Sequence, residues 1–236
     1  MKEIYYYLAL DLFTLSVPLI RSFESRLAYF KSFPSLFKAI GLTGALFVPW
    51  DVLFTHWGIW GFNERYHLPL EILGLPIEEW LFFLVVPFSC VFIYRVLNYF
   101  FPKEPPAFFQ NALPRFLVWF PIGLAVLNYG RWYTFITFLF LGLAMGWLVY
   151  VRPVAWMGRF TRAYLVILVP FLMVNGVLTG TGIEEEVVWY NDSMHLGRRI
   201  GTIPMEDAFY GMLLILMNVG FYEFFESKRK NRLSET

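Results

Sequence analysis

Pro76-Ile77-Glu78-Glu79-Trp80-Leu81-Phe82-Phe83-Leu84-Val85-Val86-Pro87-Phe88 opens a long apolar run with two adjacent carboxylates. Pro204-Met205-Glu206-Asp207-Ala208-Phe209-Tyr210 does the same 128 positions later, leading into an apolar run that lasts to Phe221. Each copy sits where a polar loop gives way to hydrophobic sequence. Two acids at the mouth of a hydrophobic helix are unfavourable to place, and the arrangement occurs twice. The repetition points to a site with two halves.

The composition says what surrounds those acids. The 236 residues are 58% hydrophobic and 21% aromatic, with 16% charged, where a soluble domain carries about 25% charged residues. With a mean hydropathy of +0.55, the chain has too little polar surface to cover a soluble globule and reads as an all-α integral membrane protein. The net charge of +1 gives no reason to expect a nucleic-acid partner. Cys90 is the only cysteine, so neither an intrachain disulfide nor a thiolate metal site is expected. Met1 to Ile20 has one basic residue near its start and no small-residue cleavage site, so it reads as a retained helix.

A bilayer-spanning helix takes roughly 17 to 25 mostly apolar residues. Seven segments approach that length, at about 4–20, 36–55, 77–100, 113–129, 132–151, 161–180 and 205–225. The fourth is short and holds Pro114, Pro121 and Asn128. With seven spans, the face holding the N-terminus carries five basic residues: Lys2, Arg65, Arg131, Arg198 and Arg199. The opposite face carries fourteen, from Arg21 through Arg95, Arg115 and Arg159 to Arg232. The positive-inside rule then predicts a cytoplasmic C-terminus, with both carboxylate motifs opening to the other side. Six or eight spans would largely erase this asymmetry.

Laying the first three helices on the last three aligns the two motifs at the starts of the third and seventh helices. Val48-Pro49-Trp50-Asp51 falls near Val169-Pro170-Phe171 and Asn175. A polar loop follows in each half, at 55–74 and 180–203. The division expected is a first three-helix repeat at 1–105, a connector helix at 106–130 and a second repeat at 131–236. Four helices separate the start of helix one from that of helix five, so the repeats run parallel. Both motifs then reach the same face at the same depth and are expected to converge on one cavity.

The duplicated Pro-x-Glu-(Glu/Asp) at helix starts, the Asp51 to Asn63 segment and the three-plus-one-plus-three layout resemble the small membrane-bound lycopene cyclases of bacteria and fungi, in their fused form. The resemblance covers nearly the whole chain. It implies conversion of the linear ends of lycopene into β-ionone rings in a multi-pass protein of the bacterial cell membrane. It also implies a carotenoid substrate, contact with membrane lipid and association with other enzymes of carotenoid biosynthesis.

Such a reaction is an acid-catalysed isomerisation. A proton adds to the terminal double bond, the neighbouring double bond attacks the tertiary cation, and the new ring loses a proton. The site needs an acid, a base, aromatic faces near the cation and no water, which would trap the cation as an alcohol. Glu78, Glu79, Glu206 and Asp207 are the acid and base candidates. In a buried carboxyl pair one member can carry a proton while its neighbour is ionised. Successive helix positions diverge by about 100°, so Glu78 and Glu206 are taken as the inward pair and Glu79 and Asp207 as alternates. Asp51, Trp60, Phe62, Asn63, Trp80, Phe83, Phe209 and Tyr210 are the candidate substrate-binding residues. Aromatic rings in such positions stabilise a cation by roughly 0.5–2 kcal/mol each. Asp11, inside helix one, is expected to face the bundle. His56, His67 and His195 show no ligand spacing, so no metal is expected. No Gly-x-Gly-x-x-Gly motif is present and no cofactor is expected, unlike the flavin-dependent lycopene cyclases.

Two other readings stay open on sequence. One is a cyclase forming ε rings or acting on C50 carotenoids. The other is a small proton-coupled transporter, whose polar residues would run through the depth of several helices. Here the paired acids cluster at one face.

Overall fold

The computed structural model describes residues 3–234; Lys2, counted above on the sparsely basic face, lies outside them. Among the described residues seven α-helices follow in order: α1 (Tyr6–Arg21), α2 (Phe33–His56), α3 (Ile77–Phe100), α4 (Leu113–Leu127), α5 (Trp132–Gly146), α6 (Met157–Leu178) and α7 (Met205–Ser234). Among the described residues six helical stretches, those holding α1, α2, α3, α5, α6 and α7, are long and apolar enough to cross a membrane. The fold is thus an all-α membrane architecture. The seventh helix, α4, has 15 residues, about 22 Å at 1.5 Å per residue, and a five-residue π-helical turn at Phe108–Ala112 leads into it.

Helix boundaries follow the apolar runs closely except at α7, expected to end near 225. It continues to Ser234 because polar side chains sustain its last turns. Arg229 pairs with Glu226 one turn back at 2.7 Å, an arrangement that supports a helix without apolar packing. Proline lies inside α1, α2, α3, α4 and α6, as Pro18, Pro49, Pro87, Pro121 and Pro170. Membrane helices accommodate it where neighbouring groups satisfy the freed carbonyl four residues back; for Pro18 that carbonyl is Thr14's, and Ser89 Oγ donates to it at 3.0 Å.

The loops are ordered by short strands. β1 (Trp60–Phe62) pairs antiparallel with β4 (Val188–Tyr190), with Gly61 opposite Trp189. A Cβ on Gly61 would stand 2.3 Å from the Trp189 ring, so only glycine fits there. β2 (Glu71–Ile72) and β3 (Leu75–Pro76) form a hairpin just before α3, and β5 (Arg199–Ile200) and β6 (Ile203–Pro204) form one just before α7. The first turns on Leu73 and Gly74, both at positive φ, the second on Gly201 at φ 64°. Two-residue hairpin turns need such left-handed positions.

By backbone contacts the chain forms two compact units. The first comprises Met1–Phe54, Glu64–Phe100 and Leu214–Thr236; the second comprises Thr55–Asn63 and Phe101–Leu213. In the first unit α1 packs on α3, and Ser89 Oγ donates to the Thr14 carbonyl at 3.0 Å. Tyr29, Phe33, Phe88 and Phe92 make an aromatic cluster there. In the second unit α4 packs on α5, closely enough that Gly142 faces Ile122 and the Val118 carbonyl.

Candidate active site

Each motif proline ends a β-strand, and the helix begins at the next residue, so both acids occupy the first turn. Glu78 and Glu206 are fully buried, and Glu79 and Asp207 are 8% and 3% exposed. Four buried carboxyl groups at membrane-helix starts need specific partners, because an unmet polar group costs several kcal/mol in an apolar medium.

In the first unit the backbone N–H of Leu68 donates to Oε1 of Glu78 at 2.9 Å. Its other oxygen, Oε2, is buried with no hydrogen-bond partner. Glu79 accepts from the hydroxyl of Tyr7 on α1, and Asp51 of α2 lies within hydrogen-bonding reach of it. An ionised carboxylate only accepts, so these two carboxyl groups can hydrogen-bond to each other only when one of them carries a proton. Asp11 of α1 lies close enough to interact electrostatically with Glu78 and Glu79. It is 4% exposed, and its Oδ2 is buried without a hydrogen-bond partner.

The second unit repeats the plan with different chemistry. Leu196 N–H donates to Oε1 of Glu206 at 2.7 Å, and Thr134 Oγ1 donates to the same oxygen at 2.6 Å. Oε2 of Glu206 is buried without a partner, as is Oε2 of Glu78. Asp207 accepts from Tyr133 at 2.5 Å, Asn175 at 2.7 Å and Tyr190 at 2.9 Å. Carboxyl neighbours surround the second acid of the first unit, whereas neutral donors surround that of the second.

The expected substrate-binding residues fall into two groups. Trp60, in the second unit, meets the rings of Tyr133, Tyr190 and Tyr210 at 5.2, 6.2 and 5.8 Å. These aromatic faces gather around the tyrosines that hold Asp207. Phe209 packs on Phe138 at 4.7 Å. Phe62 and Asn63 belong to the loop, where the Asn63 amide donates to Glu185 at 2.9 Å and its backbone N–H to the Val187 carbonyl. In the first unit Trp80 donates to the Ile72 carbonyl at 3.2 Å and Phe83 is buried against Phe47. Asp51 stands apart from this group, because it touches a catalytic candidate.

Sequence reasoning did not single out Tyr7, Tyr133, Thr134, Tyr190, Leu68 or Leu196. A signal for some of them was present. His67-Leu68 and His195-Leu196 are themselves separated by 128 positions, the spacing of the motifs. The backbone N–H of Tyr7 donates to the Tyr66 carbonyl at 3.1 Å, and that of Tyr133 to the Met194 carbonyl at 2.9 Å. The repeat therefore includes the loop that grips the first acid and the helix start that grips the second. His195 is buried and its Nε2 meets Asp192 at 2.9 Å. Hydrogen bonds from Arg199 and then His195 hold the Asp192 carboxyl below the usual aspartate range.

An all-α membrane protein that twice buries a carboxyl pair at the start of a membrane helix is what the fold and site define. The family model described as lycopene cyclase matches the chain at residues 4–97 and again at 130–225. The chain belongs to that family, in its fused two-repeat form. No match was found among curated proteins or solved structures. The protein is accordingly a membrane-associated carotenoid cyclase, an enzyme that closes rings on a carotenoid substrate.

Proposed function

We propose that the protein converts the linear ends of lycopene into β-ionone rings by proton-initiated, redox-neutral cyclisation, as an isomerase of the intramolecular lyase class. One observation carries the assignment of roles. Glu78 and Glu206 each have one oxygen pinned by a backbone N–H and the other buried without a partner. A carboxyl group that protonates carbon must present an O–H that no stronger acceptor has taken. Oε2 of Glu78 and of Glu206 meets that condition. Glu79 and Asp207, engaged by Tyr7 and Asp51 and by three donors respectively, are the partners that hold or receive a proton.

The chemistry closes without a co-reactant. A carboxyl proton adds to the terminal double bond, and the tertiary cation is captured by the next double bond with formation of the ring C–C bond. The ring cation then loses a proton to a carboxylate of the set. The product is an isomer of the substrate, and the carboxyl set ends with as many protons as it began. Trp60, Tyr210 and Phe209 in the second unit, and Trp80 and Phe83 in the first, are the candidate aromatic neighbours of the cation.

The reading extends to organisation and placement. Residues 1–105 and 131–236 act as the two cyclase repeats around a 106–130 connector. The protein lies in a bacterial cell membrane with its C-terminus in the cytoplasm, where Lys228, Arg229 and Lys230 meet anionic lipid and where it associates with other carotenoid-pathway enzymes. Expression in a lycopene-accumulating bacterial host, followed by pigment chromatography, tests the activity. β-Carotene or its one-ring precursor is expected. Unchanged lycopene with folded protein in the membrane rejects the substrate, and ε-ring products reject the ring type.

A further inference from the structure

The first unit contains a groove of about 710 Å³ along α2, with Gly41, Gly44, Val48 and Val52 on one wall and Trp80 and Phe83 of α3 on the other. We infer that the polyene chain of the carotenoid lies in this groove while its end group is at the carboxylates; this rests on the cyclase reading above. The volume is within the roughly 300–1,000 Å³ typical of small-molecule sites. From Ile40 to Leu53 the groove follows α2 for about 20 Å at the helical rise. That suits an extended isoprenoid segment.

The position of the groove selects the occupant. No carboxyl group lines it, but its lining residues neighbour the acids along both helices: Trp80 directly follows Glu79, Phe83 lies one turn beyond it, and Val48 and Val52 flank Asp51 on α2. No charged side chain lines it, and the Trp80 N–H is already engaged with the Ile72 carbonyl. Such walls offer a hydrocarbon nothing to desolvate. Gly41 and Gly44 create the slot, since a Cβ at either position would meet no atom within 4 Å. A flexible acyl chain can adapt to many surfaces, whereas a stiff conjugated chain needs a preformed track, and only this occupant must reach the acids.

The test uses the full chain in lipid nanodiscs with lycopene as the probe. Gly44→Phe fills the slot, and Ala45→Trp, at an exposed lining position, does so without disturbing packing. Gly123→Phe on α4, also facing open space, is the control for the same change elsewhere. Retained lycopene is read from polyene absorption per mole of protein, and cyclisation from pigment chromatography. Both groove variants should retain roughly tenfold less lycopene and show a KM raised by a similar factor with kcat little changed, the pattern of lost substrate binding; the control should match the unsubstituted protein. If Gly44→Phe misfolds, Ala45→Trp alone decides. Normal lycopene retention and cyclisation in folded groove variants would make the groove an acyl-chain site only and overturn the inference. Failure of the unsubstituted protein to cyclise lycopene would instead reject the underlying function.

Discussion

The backbone N–H of Leu196 donates to Oε1 of Glu206 at 2.7 Å, across ten positions of chain. Leu68 and Glu78 make the same contact, across the same ten positions, at 2.9 Å. A hairpin lies between donor and acceptor in each case, so the turn that starts the helix also brings the loop back onto the acid. The contact fixes one oxygen and leaves the other, Oε2, buried without a hydrogen-bond partner.

Glu78→Gln and Glu206→Gln keep an acceptor for the leucine N–H but lose the transferable proton. Each should lower cyclisation by roughly 10²-fold or more, the usual scale of general acid–base contributions, while insertion and expression persist. Product per unit of folded protein in the lycopene host is the measurement. Near-normal activity in both variants would move the proton-carrying role to Glu79, Asp207 or Asp51.

Tyr7→Phe and Tyr133→Phe remove the α1 and α5 hydroxyls from Glu79 and Asp207. Hydrogen bonds to charged acceptors contribute about 1.5–3 kcal/mol each. Tyr7→Phe should have the larger effect, because Asp207 keeps Asn175 and Tyr190 as donors. Thermal unfolding in detergent together with turnover gives the ranking; equal effects would show that the other two donors do not compensate.

Asp51→Asn places at Glu79 the amide that Asn175 supplies to Asp207. The variant should fold normally and lose activity, because an amide can still hydrogen-bond to Glu79 but cannot carry or release a carboxyl proton. Asp51→Leu should also unfold more readily, by about 1–3 kcal/mol for the lost partner. Full turnover in Asp51→Asn would confine Asp51 to a packing role.

The five-to-fourteen distribution of basic residues predicts a cytoplasmic C-terminus. A C-terminal fluorescent reporter that matures only in the cytoplasm should be bright, and an alkaline phosphatase fusion at the same point inactive. The reverse pattern would invert the orientation and the side to which the motifs open.

Much of this protein was legible before its structure. Long apolar runs specify membrane helices because backbone groups in hydrocarbon must be satisfied within the segment, so α1, α3 and α5 fall where hydropathy places them. The duplicated motif drew attention to the four buried acids because a carboxyl pair at the start of an apolar helix is rare enough to stand out. Polar contacts between distant elements left weaker traces. Tyr7 reaches Glu79 over 72 positions and Tyr133 reaches Asp207 over 74. In a chain with 14 tyrosines, periodicity does not distinguish these two from interfacial ones.

The sequence by itself determined the membrane class, the two repeats and the four carboxyl groups, because apolar length and internal repetition are local properties of a chain. Only the tertiary structure decided which oxygen of Glu78 and of Glu206 is held and which is left open, and that Asp51 meets Glu79 where Asn175 meets Asp207. Those facts depend on side-chain direction across helices far apart in sequence. No single segment encodes that direction, because packing of all its neighbours sets it.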